Sequence, residues 1–182
     1  MLNKSVARRY AEAFFIIAKE AGKIDEFQQE LEVIIKTIDE IDGLKVYLNH
    51  LLIPVKQKKE TVERAFGDQI SSITLNFFYL ILDKRREGYF KSIVEEYCGM
   101  ADESRNITKA DLYSAREVPE DEVKLLGERL SASTGKTVLL QQIVDASLLG
   151  GIKLRVGDRI IDASVAKKLE MLKDKLRKSK IS

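Results

Sequence analysis

Apolar residues recur three or four positions apart through most of residues 1–105, which is the spacing of amphipathic helices. The first series ends before Gly22, and five further series follow it. Glycine or proline stands beside several of the breaks, as at Gly43, Pro54 and Gly67. Short connections favour antiparallel neighbours, so the pattern predicts a bundle of six helices.

The period changes after residue 105. "ITKADLYSA" alternates as a strand does, "TVLLQQIV" gives a second strand, and a helix that opens at Pro119 lies between them. "GGIKLRV" and "RIID" flank Gly157 and Asp158, which predicts a tight β-hairpin. A final helix carries one apolar stripe: Val165, Leu169, Leu172 and Leu176. The predicted fold class is α+β, with an N-terminal six-helix bundle (1–105) followed by a small C-terminal α/β domain (106–182).

Charge and composition argue against several classes of function. The chain has 31 basic and 29 acidic residues, and this balance argues against a nucleic-acid footprint over the whole protein. A single cysteine, Cys98, excludes an internal disulfide, and a single histidine, His50, leaves little scope for a histidine-based metal site. No apolar run approaches the roughly 20 residues of a membrane span. Since no leader is recognisable either, we expect a bacterial-type cytoplasmic protein.

The Gly135-Lys136-Thr137 triplet resembles the end of a phosphate-binding loop. Such a loop also needs a glycine five positions before the last one, and Leu130 stands there. It must also open a helix, whereas this triplet follows a helix and opens a strand. We therefore predict a helix stop at Gly135 and disfavour a small nucleotide hydrolase.

Three carboxylates, Asp145, Asp158 and Asp162, lie around the glycines near the carboxyl end. They could act as acid and base or bind a metal, but no nucleophile or base accompanies them. Turns and helix caps explain them better. We predict no catalytic residue, no metal and no cofactor.

The carboxyl end is locally basic, with seven basic and two acidic residues in "AKKLEMLKDKLRKSKIS". This positive charge makes a nucleic-acid adaptor an alternative function. However, the segment has no aromatic residue to stack on bases. Cations near a helix C-terminus are also favoured by the helix dipole.

The first and fifth helices are apolar over more than the stripe of about 100° that one packed face requires. A partner helix in a groove between them would account for this excess. For the fifth helix, a central position in the bundle explains the pattern equally well. For the first helix we favour the groove.

"VARRYAEAFFIIAKEAG" and "VDASLLGGIKLRVGDRIIDASVAKKLEMLKDKL" resemble the two ends of the delta subunit of F-type ATP synthase. The mitochondrial counterpart of that subunit is the oligomycin-sensitivity-conferring protein. The resemblance covers the whole chain, and its carboxyl-terminal signature is the more specific part. Ala163 departs from it, because glycine is common at that position. The signature residues here are Asp145, Gly150, Gly151, Gly157, Asp158, Asp162 and Ser164.

The resemblance implies a non-catalytic stator connector. The helical domain would bind the alpha subunits of the catalytic head, and the α/β domain would bind the b subunits of the peripheral stalk. The resemblance also implies a peripheral location on the cytoplasmic side of the plasma membrane, with membrane contact only through the complex. We expect neither nucleic acid nor nucleotide as a direct partner.

Combined with the helix patterns, the resemblance suggests particular residues for both interfaces. The groove for an alpha-subunit helix would be lined by Tyr10, Ala13, Phe14, Ile17, Phe78, Tyr79 and Leu82. The stripe Val165, Leu169, Leu172 and Leu176 would serve the stalk or, alternatively, the domain's own sheet.

Overall fold

The computed structural model describes residues 2–156 and 159–179, with the side chains of residues 4–156 and 159–173. The chain divides into two compact units, residues 1–102 and 103–182. The change of period predicts a boundary at residue 105.

The first unit is helical. Its elements are α1 (Leu2–Ala21), α2 (Ile24–Glu40), α3 (Leu44–Asn49), α4 (Val55–Phe66), α5 (Ser72–Asp83), a 3₁₀ turn (Glu87–Tyr89) and α6 (Phe90–Ser104). With six residues, α3 is only about 9 Å long. Its Leu44 and Leu48 are buried in the core, but the helix has fewer than two turns, so the prediction of six bundle helices is not confirmed as a count.

Local sequence signals fix the start of α5. The Ser71 side chain caps the helix by accepting a hydrogen bond from the Thr74 amide at 3.3 Å. Glu30 of α2 accepts hydrogen bonds from the amide and the hydroxyl of Ser71, at 2.7 and 2.8 Å. A carboxylate is favoured at the positive end of a helix, so Glu30 ties α2 to the beginning of α5.

The core of the helical unit is aromatic. The ring of Phe14 stacks on Phe77 of α5 at 4.1 Å and on Phe27 of α2 at 5.4 Å, and it meets Tyr97 of α6 at 5.5 Å. The Tyr97 hydroxyl donates to the carbonyl of Ile24 at 3.0 Å, which satisfies the one polar atom of this buried ring. Helices α1, α2, α5 and α6 therefore meet around Phe14.

The second unit contains a four-stranded sheet. Its elements are β1 (Ile107–Ser114), α7 (Glu120–Thr134), β2 (Thr137–Val144), β3 (Ile152–Val156), β4 (Arg159–Asp162) and α8 (Val165–Ser179). The strand order is β2-β1-β3-β4, with β1 and β2 parallel and the other pairs antiparallel. Val156 pairs with Arg159 in the predicted hairpin, while its turn residues, Gly157 and Asp158, lie outside the described residues.

One face of the sheet is covered by α7. Its Val123, Leu126 and Leu130 pack on the buried side chains of the strands: Ala110, Leu112, Val138 and Leu154. Side chains alternate between faces, so Lys109, Asp111 and Arg155 belong to the opposite face. The mostly helical first unit and the α/β second unit agree with the coarse fold class that the sequence predicts.

Candidate docking surfaces

The four α1 residues predicted for the groove differ in solvent exposure. Ala13 and Ile17 are exposed, and Tyr10 is half-buried. Phe14 is only 1% exposed because it lies at the centre of the aromatic cluster. Three of the four side chains therefore reach the surface, and Phe14 needs correction to a core residue.

The α5 residues require a larger correction. Phe78 and Leu82 are 1% and 0% exposed, so neither side chain offers surface to a partner. Phe78 points towards other helices of the unit, with ring centroids 6.3 Å from Phe66 and 4.5 Å from Phe90. The exposed apolar residues of α5 are instead Ile73 and Leu80.

The third α5 residue, Tyr79, is half-buried and interacts with α4. The ammonium group of Lys59 lies 5.3 Å from the centre of its ring and also pairs with Asp83 at 2.7 Å. Burial, together with the charge of Glu63, raises the pKa of the Tyr79 hydroxyl. Tyr79 therefore lies on the α4 side of α5.

Exposed apolar residues stand on α1 and on α5, on either side of the contact between Phe14 and Phe77. The Phe14–Phe77 stack brings the two helices together. On α1, Ala13 and Ile17 lie within about 100° of Phe14, away from Phe15, which contacts Tyr97 of α6. On α5, Ile73 and Leu80 lie within about 60° of Phe77, one turn to either side. We call these exposed residues, together with the half-buried Tyr10, the α1–α5 stripe: Tyr10, Ala13, Ile17, Ile73 and Leu80.

The apolar stripe of α8 is also exposed. Val165, Leu169 and Leu172 are between 40% and 56% exposed, so these three side chains are not packed on the sheet. The side chain of Leu176 lies outside the described residues. Ile161 of β4 and Leu149 of the loop between β2 and β3 are exposed apolar residues of the same unit.

The signature glycines shape the joint between the loop after β2 and the start of α8. Gly151 has φ +80°, and a Cβ there would lie 2.7 Å from the Ala163 carbonyl oxygen and 3.0 Å from the Ser164 Cα. At Gly150, φ is +149° and the carbonyl accepts from the Val165 amide at 2.9 Å. Only glycine combines this backbone conformation with so close an approach.

Two of the three signature aspartates, Asp145 and Asp162, form turns, and Asp158 lies outside the described residues. Asp145 accepts hydrogen bonds from the amide and the hydroxyl of Ser147, at 2.9 and 2.6 Å, and these bonds lower the pKa of its carboxyl. Asp162 accepts from the Ser164 amide at 2.9 Å, and its pKa is lowered by the same kind of contact. The buried Ser164 hydroxyl in turn accepts from the Lys167 amide at 3.2 Å and caps α8.

The backbone at Gly135 decides between a phosphate-binding loop and a helix stop. Gly135 has φ +70°, and its amide donates to the Ser131 carbonyl at 2.9 Å, which confirms the predicted helix stop. Among the described residues no group of three or more histidine, cysteine, aspartate or glutamate side chains is arranged to hold a metal. Within the same residues, no helix combines the length and apolar character of a bilayer span.

Each unit carries exposed apolar residues at helical spacing, and exposed apolar patches of this kind are typical of surfaces that bind partner proteins. A sequence profile of the ATP synthase delta (OSCP) subunit matches residues 6–176, so the chain belongs to that family. The family comprises structural subunits of ATP synthase, and this chain is accordingly a non-catalytic subunit.

Individual relatives agree along the whole length. The chain is 59% identical over 182 residues to ATP synthase subunit delta of Syntrophomonas wolfei, covering 100% of both chains. It is 41% identical to the same subunit of Desulforudis audaxviator, again covering 100% of both. A chain in the cryo-EM structure of the Toxoplasma gondii mitochondrial ATP synthase hexamer matches with a TM-score of 0.73. That match covers 93% of this chain and 96% of the other at 17% identity, so it shows a shared fold.

Proposed function

We propose that this subunit is a stator connector, which links the alpha subunits of the catalytic head to the b subunits of the peripheral stalk. The observation that carries the proposal is an exposed apolar stripe on each unit of a chain that belongs to the ATP synthase delta family. A connector needs tight binding at two ends, and each unit offers one such surface.

The head-binding end is assigned to the α1–α5 stripe. An amphipathic helix of an alpha subunit would lay its apolar face along Ala13 and Ile17 on one side and Ile73 and Leu80 on the other. Affinity would come from apolar area removed from water, at about 25 cal/mol per Å² before the costs of association. Phe14, Phe78 and Leu82, which the sequence also suggests for the groove, are buried and do not belong to this surface.

The stalk-binding end is assigned to α8. Val165, Leu169 and Leu172 form an apolar stripe at helical spacing that is exposed in the isolated chain. Stripes of this kind mark helix–helix interfaces. Lys167 and Glu170 pair at 2.7 Å beside the stripe and would lie at the polar rim of such an interface.

The role is mechanical. Rotation of the central shaft puts torque on the head, and the stalk must hold the head still so that rotation becomes conformational work at catalytic sites on other subunits. In this arrangement the subunit is peripheral, on the cytoplasmic side of the plasma membrane, and meets the membrane only through the complex.

The test is co-elution of the full chain with a catalytic head stripped of its own delta subunit. Ile17→Asp and Ala13→Asp place a charge in the α1–α5 stripe, because both side chains are exposed in the free chain. We expect each variant to fold normally and to lose at least tenfold in head affinity, since an unpaired charge is costly in an apolar interface.

Ile16→Asp is the matched control. Ile16 is 56% exposed and Ile17 is 44% exposed, on the same helix, but they lie about 100° apart around its axis. Ile16→Asp should therefore bind the head like the unchanged chain. Equal binding by Ile16→Asp and Ile17→Asp variants would remove the α1–α5 stripe from the proposal.

A further inference from the structure

Strand β2 forms one edge of the sheet, and its backbone groups alternate in direction. The Thr137 amide donates to Asn106 and the Asp145 amide donates to Ser114, both on the β1 side, at 2.9 and 2.8 Å. Odd-numbered amides of β2 therefore point to β1, and even-numbered ones point away from it.

Three of these outward amides form no hydrogen bond with the described residues. The first even-numbered amide, that of Val138, donates to the Ser131 hydroxyl of α7 at 2.8 Å. The remaining ones have no such partner: Leu140, Gln142 and Val144. The carbonyls of Leu140 and Gln142 point the same way, so the edge presents an alternating row of donors and acceptors.

The chemistry of β2 leaves this edge unprotected. Natural sheets usually defend a free edge with charged residues, proline or a bulge. All eight residues of β2 are uncharged, and none is proline. The opposite edge strand, β4, has a charged residue at each end, Arg159 and Asp162.

A groove adjoins the start of the β2 edge. Its lining residues limit the charge and polarity of a segment that could bind there. It has a volume of about 500 Å³ between α7 and β2, with Val123, Val138 and Leu140 among its apolar lining residues. Lys124 and Glu128 of α7 supply one charge of each sign, so the groove favours neither an acidic nor a basic occupant.

We propose that the β2 edge binds an extended, uncharged segment of a partner chain, with apolar side chains at alternate positions, as an added fifth strand. The segment would exchange hydrogen bonds with Leu140, Gln142 and Val144 and lay every second side chain towards α7. This binding mode concerns the sheet edge and is independent of the α8 stripe.

The test is amide hydrogen exchange of the full chain by NMR. In the free protein at low concentration, the amides of Leu140, Gln142 and Val144 should exchange at least about tenfold faster than those of Leu139, Gln141 and Ile143. The probe is a hexapeptide of alternating threonine and valine with blocked ends. It should slow exchange at the three even-numbered positions.

A matched control peptide distinguishes backbone pairing from nonspecific binding through side chains. The same hexapeptide with every internal amide N-methylated keeps its side chains, but it has no internal backbone donor and its methyl groups prevent close approach of the two backbones, so it should give no protection. Equal protection by both peptides would overturn the proposal. So would even-numbered amides that are protected without peptide, whether by the chain itself or, where protection rises with protein concentration, by a second copy.

Two variants test the edge without touching the β1 ladder. Val144→Pro removes an outward donor from an exposed residue, and it should weaken peptide binding about threefold to tenfold. Leu139→Lys adds a charge at an exposed position, leaves the backbone intact and should also weaken binding. If both variants fold and bind the peptide like the unchanged chain, the edge is not the binding site.

Discussion

The helical unit and the α/β unit are stabilised by different kinds of contact. In the helical unit, three aromatic rings from three helices surround Phe14, and side-chain packing holds the elements together. In the described part of the α/β unit, the buried apolar core is confined to Ala110, Leu112, Val138 and Leu154. Strand ladders, glycine contacts and aspartate turns supply the rest of its order.

The comparison shows which kind of change each unit tolerates. A packed aromatic cluster is sensitive to lost volume, because the cavity left by a large side chain is not refilled. A unit ordered through its backbone is sensitive instead to an added atom where two segments touch.

Phe14→Ala should destabilise the helical unit by about 3–5 kcal/mol, since it removes the ring on which three others pack. Chemical unfolding followed by circular dichroism measures the change. The matched control is Ile17→Ala one turn further on, which truncates an exposed side chain and should cost less than about 1 kcal/mol. Similar losses for both variants would contradict the assignment of Phe14 to the core.

Gly151→Ala should destabilise the α/β unit by about 2–3 kcal/mol, because it combines a positive φ with a clash against the Ala163 carbonyl. Gly135→Ala is the control, since its φ is +70° but a Cβ there would meet nothing within 4 Å. It should cost only about 1 kcal/mol. Thermal unfolding monitored by NMR signals of the sheet distinguishes them, and equal costs would mean that the close approach at Gly151 is unimportant.

Hydrophobic periodicity predicted the helical and strand segments well, because that signal is local. The helix stop at Gly135, the hairpin pairing of Val156 with Arg159 and the turns at Asp145 and Asp162 follow from residues a few positions apart. Each of these features needs only the physical chemistry of a short segment.

Periodicity failed where the answer depends on which face of a helix meets which neighbour. For α5 the sequence shows apolar residues nearly all round, and nothing in that pattern separates Phe78 from Leu80. The structure does so because Phe66 and Phe90 contact Phe78, from segments 12 residues away on either side.

A buried ion pair could not be predicted from the sequence either. Lys58 of α4 and Glu87 of the 3₁₀ turn pair with both side chains almost fully buried. A lysine in the charged segment "VKQKKETVERAF" reads as solvated, and its partner lies 29 residues away. Only the folded arrangement shows that this one lysine points inwards.

The smallest predicted effect concerns the aspartate turns of the α/β unit. Hydrogen bonds from Ser147 hold the pKa of Asp145 below its ordinary value of 3.8. A depressed pKa in the folded state contributes stability that is complete above the unfolded pKa and is lost as pH falls through the lowered folded value. Ser147→Ala removes the hydroxyl donor at 2.6 Å, so the Asp145 pKa should rise towards 3.8.

NMR titration of the side-chain carboxyl carbons below pH 5 measures this shift directly. Asp162 provides a control within the same sample, because its lowered pKa depends on Ser164 and should not move. With Ser147→Ala, the turn loses part of its contribution at neutral pH, and the stability of the α/β unit should fall less between pH 5 and pH 3 than in the unchanged chain. An unmoved Asp145 pKa would mean that the turn is held by the backbone amide alone, and the α/β unit would then depend on its backbone more completely than the comparison with the helical unit implies.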